Sequence, residues 1–130
     1  MDTLAPVYRS PCCDIGEGER FLHCTVGPGQ PSEIQDCYRS LATECLQRKG
    51  KSLLVVGVSG GDSFVHLAGR DSLRAIALAG VPPGFRLALV AGSADMIAVY
   101  DAAVVEAARC GIQARRFRTE EEAAAWLVGP

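Results

Sequence analysis

Two stretches of this chain, Ser52-Leu53-Leu54-Val55-Val56-Gly57-Val58 and Arg86-Leu87-Ala88-Leu89-Val90-Ala91, are apolar at odd and even positions alike. Successive side chains of a strand point to opposite faces, so a strand apolar on both faces has to be covered on both. Both stretches therefore read as central strands. Joined through a helix, they are expected to pair in parallel by a right-handed crossover. The chain has 130 residues, 48% of them hydrophobic. A chain of that size folds as one domain that buries roughly two thirds of its unfolded surface. We expect a single α/β domain over residues 1–130.

Short apolar-rich stretches at 5–13 and 20–26 flank Asp14-Ile15-Gly16-Glu17-Gly18-Glu19 and predict a two-stranded hairpin with that segment as its turn. After Gly27-Pro28-Gly29-Gln30-Pro31, Ser32 and Gln35 have capping-box spacing. Ile34, Cys37, Tyr38, Leu41, Ala42, Cys45 and Leu46 then recur at helical spacing on one face. Arg48 and Lys49 suit the negative end of that helix, and Gly50 its exit. Asp71 is expected to cap a short helix through Ser72, Leu73, Ile76 and Leu78, ending near Gly80, with Val81-Pro82-Pro83-Gly84 turning the chain. A helix over 94–110 carries Met96, Tyr100, Ala103, Val104 and Ala107 on one stripe, and a charged strand follows over 113–118. Thr119 and Glu122 form a second capping box, opening a helix that buries Ala123, Trp126 and Leu127. The expected order is β-β-α-β-α-β-α-β-α, a mixed sheet packed with helices.

Thirteen Lys and Arg stand against fifteen Asp and Glu, five against seven up to residue 50 and eight against eight beyond it. No half of the chain is basic, which disfavours nucleic acid as a partner. The first twenty residues lack a signal-peptide pattern, and Asp101 and Glu106 interrupt the Ala-rich run from Met96 to Ala108. Neither export nor a membrane span is expected, and the chain reads as a cytoplasmic protein. In a reducing compartment its six cysteines are expected to stay free, as small buried apolar groups.

Ser59-Gly60-Gly61-Asp62-Ser63, directly after the first central strand, resembles the phosphate loop of ATP pyrophosphatases, Ser-Gly-Gly-x-Asp-Ser, in which backbone amides approach phosphate at a helix N-terminus. This chain is one residue short. On a following helix that deletion rotates Asp62 and Ser63 by about 100 degrees. Two adjacent glycines also suit an ordinary tight turn, in which Asp62 or Ser63 accepts local amides. Between these stands a loop that lines the ligand crevice of an open α/β sheet.

Cys12 and Cys13 with His23 and Cys24 have ligand chemistry suited to zinc, but adjacent cysteines lack the C-x2-C spacing and no second pair exists, so we expect no metal. Cys37, Cys45 and Cys110 fall on apolar helical positions or at a helix end and read as packing groups. His66 near the glycine loop, oriented by Asp62, could act as a base, yet no nucleophile spacing accompanies it. Arg115, Arg116 and Arg118 beside Glu120, Glu121 and Glu122 read as charges guarding an edge strand.

The strand Arg86-Leu87-Ala88-Leu89-Val90, the helix with Met96 and Tyr100, and the run Arg116-Phe117-Arg118-Thr119-Glu120-Glu121-Glu122-Ala123-Ala124-Ala125-Trp126-Leu127 resemble the SpoIIAA-like family, the STAS-type fold of anti-sigma-factor antagonists. The resemblance covers residues 20–128 by element order, with motif detail over the last forty or so. It implies a small module that acts by binding a protein partner or small ligand in a regulatory role, without catalysis or cofactor, and as a homodimer where it self-associates. In the antagonists proper, a phosphorylated serine opens the helix after the central strand. By position Ser72 is the nearest counterpart and Ser63 the next, although Asp71-Ser72 is followed by Leu73-Arg74 where the family has Asp-Ser-Ser-Gly. The expected site comprises Ser59, Gly60, Gly61, Asp62, Ser63 and Ser72. Other readings are a nucleotide-binding protein using the glycine loop, and a carrier of a small apolar ligand, since the fold also resembles lipid-binding SEC14-type domains.

Overall fold

The computed structural model describes residues 4–49, 51–58 and 63–129, without the side chains of residues 31 and 63–69. Among the described residues, six strands and four helices follow in the order β1 (Ala5–Ser10), β2 (Cys13–Glu17), β3 (Phe21–Val26), α1 (Pro31–Gln47), β4 (Ser52–Gly57), α2 (Ser63–Ala79), β5 (Arg86–Ala91), α3 (Ala94–Arg109), β6 (Gln113–Phe117) and α4 (Glu120–Val128). The strands form one mixed sheet in sequential order β1-β2-β3-β4-β5-β6. β1, β2 and β3 are an antiparallel meander, and β3 to β6 pair in parallel. The two doubly apolar stretches are β4 and β5, adjacent and parallel, with Leu53 opposite Leu87 and Val55 opposite Leu89.

Pleating sorts the core into two layers. Leu22, Cys24, Leu53, Val55, Leu87 and Leu89 join the α1, α2 and α3 side chains in the larger cluster. Leu54, Ala88 and Val90 point the other way and meet Ala123, Trp126 and Leu127 of α4. Three crossovers of one hand, each placing its helix on the same face, give this sequential order. Only after β6 does the chain pass to the opposite face.

Three expectations are corrected. Residues 13–17 are a strand and not a turn: β2 pairs with both neighbours, and the turns shrink to Pro11-Cys12 and Gly18 to Arg20. Its pattern was weak because Gly16, on the face opposite Cys13 and Ile15, carries no side chain, and Leu4 occupies that space. Helix α1 begins earlier than Ser32, with Gln30 as N-cap in a capping box with Glu33 and Pro31 in the first turn. The preset φ of Pro31 favours that position. Finally, α2 opens at Ser63, so Asp71 lies inside the helix and caps nothing.

The remaining boundaries agree closely. Thr119 caps α4 by accepting the Glu122 amide at 3.2 Å, while its hydroxyl donates to the Glu122 carboxylate. Gly111, at φ 77°, provides the left-handed exit after α3. No described helix is long and apolar enough to cross a membrane.

Candidate functional site

Beneath α1, α2 and α3 lies a cavity of about 50 Å³. Its walls come from Leu41 and Ala42 of α1, Leu73 and Ile76 of α2, and Val99 and Ala103 of α3, with Leu53, Val55, Leu87 and Leu89 as its floor. Small residues at 42 and 103 leave the three helices unable to fill the space over the large apolar floor. Arg70, Ser72 and Glu106 stand at its rim. The Arg70 Nε is buried with no hydrogen-bond partner among the described residues. Glu106 receives Arg74 Nε at 3.4 Å and Arg109 at 3.7 Å.

One end of the cavity is closed by a tyrosine pair. Tyr38 of α1 and Tyr100 of α3 are 6% and 2% exposed, and their hydroxyls are 3.1 Å apart. Burial pushes both phenols upward, so neither ionises readily. Tyr100 reaches this position because β4 ends in Gly57: a Cβ there would come within 2.5 Å of the Tyr100 hydroxyl and 2.8 Å of the Met96 methyl. The glycine read at the end of a double-sided strand thus admits an aromatic side chain over the sheet's C-terminal edge.

A second group of side chains lies between the meander and α1. Cys13 on β2 and Cys37 on α1 form a disulfide, and the Cys24 thiol on β3 lies 4.0 Å from the Cys37 sulfur. All three sulfurs lie within 4.8 Å of one another. The expectation of six free thiols is therefore corrected; Cys12, Cys24, Cys45 and Cys110 are free. The signal was present in the pattern: Cys37 is on the apolar stripe of α1, and Ile15 pairs with Cys24 in the β2–β3 ladder, putting Cys13 and Cys24 on the same inward face. What the sequence lacked was β2 itself, without which Cys13 has no assigned face. Desolvation, followed by Asp14 and Cys12, pushes the Cys24 thiol up to about 12, and burial pushes Cys45 up to about 11.

Of the expected site residues, Ser59, Gly60, Gly61 and Asp62 lie outside the described residues. Ser63 is the first residue of α2, the helix that follows central strand β4. Ser72 is half-buried in the middle of α2, facing the cavity rim and the shallow groove that Arg39, Thr43 and Asp71 also line. The side chain of His66 lies outside the described set.

His23 does not join the cysteines. It points to the α4 face of the sheet, its Nε2 2.6 Å from the Glu120 carboxylate. On that face Arg86 and Arg115 lie over Trp126 at 5.2 and 5.8 Å. Arg116 Nε reaches Asp101 at 2.5 Å. The arginines of β6 and the edge-strand neighbour β5 thus support α4 and α3 as well as charging an edge. Comparison with protein families, with curated proteins and with solved structures finds no match to this chain.

Proposed function

We propose that this chain is a non-enzymatic, STAS-type regulatory module of the cytoplasm that binds a small amphipathic acid, with the ligand's apolar end in the cavity beneath α2. The supporting observation is the cavity itself, apolar along its walls and polar at its rim. Its volume of about 50 Å³ compares with about 150 Å³ for an engineered cavity that takes benzene. It therefore suits a short alkyl end and not a whole lipid. The Arg70 guanidinium at the rim, its Nε without a partner among the described residues, offers an ionic hydrogen bond to a carboxylate head. A binding role fits this wall better than catalysis: the polar groups deep in it are the two tyrosine hydroxyls, already bonded to each other and opposed to ionisation.

The test is an amide NMR titration of the full chain with hexanoate. Shifts should concentrate at Leu73, Ile76, Val99 and Ala103, disappear in Ala103→Leu, whose added carbons occupy the cavity, and weaken in Arg70→Gln. Shifts scattered over the surface, or unchanged in Ala103→Leu, would remove the cavity as the site. In parallel, Mg-ATP should leave the melting temperature unmoved. A stabilisation of several degrees that Gly60→Val abolishes would establish the glycine loop as a nucleotide site instead.

A further inference from the structure

The three buried sulfurs differ from ordinary packed cysteines in their mutual geometry. A disulfide uses two sulfurs, and nothing about it requires a third cysteine in contact. Here Cys24 Sγ lies 4.0 Å from Cys37 Sγ, with all three sulfurs within 4.8 Å. Zinc bonds thiolate sulfur at about 2.3 Å, so neighbouring ligands of a tetrahedral site stand about 3.8 Å apart. The Cys24 to Cys37 separation of 4.0 Å is already close to that value. Opening the Cys13 to Cys37 bond would let the third edge of the triangle relax toward it.

The supporting framework is rigid on two sides. Cys13 and Cys24 stand on paired strands, and Cys37 on the fourth-to-eighth-residue portion of a 17-residue helix. Exposures of 2% for Cys13 and 0% for Cys24 and Cys37 exclude bulk water from the sulfurs. Three thiolates in such a place are tolerable only with a cation between them. A divalent ion leaves one net negative charge and a monovalent ion two, so burial favours the divalent ion. Soft sulfur ligands favour a thiophilic metal over magnesium or calcium.

We propose that Cys13, Cys24 and Cys37 form a binding site for a thiophilic divalent cation, with zinc as the representative, closed while the Cys13–Cys37 disulfide exists and opened by its reduction. Opening consumes two electrons and two protons from a dithiol, which becomes a disulfide as the Cys13–Cys37 bond becomes two thiols. Metal entry then forms three sulfur–zinc bonds and releases three protons to solvent, one from each thiol. Metal binding and the cross-link are mutually exclusive, so the site couples metal occupancy to the thiol redox poise.

Cobalt(II) is the probe because its thiolate complexes are coloured. The full chain is reduced with a phosphine, desalted under nitrogen and titrated with cobalt. We expect one equivalent to give thiolate-to-cobalt charge-transfer absorption, bleached by one equivalent of zinc, and no absorption from the oxidised chain. Cys24→Ser keeps the disulfide and should lose affinity by more than the roughly 10–100-fold that an outer-shell partner is worth. Cys110→Ser, outside the cluster, should titrate as the parent does. Independently of any variant, zinc should protect Cys13, Cys24 and Cys37 of the reduced chain from alkylation, read by peptide mass mapping. A reduced chain without charge-transfer absorption, a Cys24→Ser chain that titrates like the parent, or alkylation of the three cysteines that zinc leaves unchanged would overturn the proposal.

Discussion

Removing the Cys13–Cys37 bond should weaken the fold by a predictable amount. The two cysteines are 24 residues apart, and closing a loop of that length in the unfolded chain corresponds to about 3.5 kcal/mol at 25 °C. The loop contains the rest of β2, the β2–β3 turn, all of β3 and the first part of α1, so reduction frees that stretch of the unfolded chain without deleting any native packing group. An unfolding entropy of about 2.1 cal/mol/K per residue converts the loss into a drop in melting temperature of roughly 13 °C for a chain of this size. The assay is thermal unfolding followed by circular dichroism, on oxidised and phosphine-reduced chain in chelator-containing buffer, with Cys13→Ala/Cys37→Ala as control. Reductant should shift the parent and leave the double variant unmoved. A shift of the parent under about 3 °C, less than 1 kcal/mol on the same scale, would refute the reasoning, as would an equal shift in the double variant.

Other perturbations test the site's supports. Tyr38→Phe should cost about 1–3 kcal/mol by orphaning the buried Tyr100 hydroxyl, while Tyr38→Phe/Tyr100→Phe should recover most of it; additive losses in urea unfolding would contradict the hydroxyl pair. Gly57→Ala should cost about 1–3 kcal/mol through overpacking against Tyr100 and Met96; a midpoint equal to the parent's would mean that α3 does not press on β4. The hydrogen bond from Lys51, then that from Arg48, hold the Glu17 carboxyl below its ordinary value of 4.5. Its contribution is complete above that value and is lost as pH falls through the lower folded value. The acid limb of the stability curve should therefore flatten in Glu17→Gln, and an unchanged limb would place that contribution elsewhere.

The residues legible from sequence were those whose local pattern and tertiary environment agree. β4 and β5 were visible because both faces are apolar, and α1 because Ile34, Cys37, Tyr38, Leu41 and Cys45 keep helical spacing and are all buried. The start of α2 was not, because the glycine loop and Asp71 both offer local helix starts with equally good capping residues. The packing of the helix against α1 and α3 carries it through Asp71 regardless. Ser72, read near the start of that helix, lies in its middle, beside the cavity.

By itself the sequence determined the layered α/β class, the parallel pairing of the two central strands and most helix boundaries, since periodicity, caps and turn residues act over a few positions. Only the tertiary structure decided the rest. β2 is a strand because two neighbours share its ladder, as its own residues include just one large apolar side chain, Ile15. The cavity exists because three helices carrying small residues meet over one floor, and the sulfur cluster because a meander and a helix bring together cysteines separated in the chain. Both are matters of distance between segments, and a side-chain pattern records only the direction each residue faces.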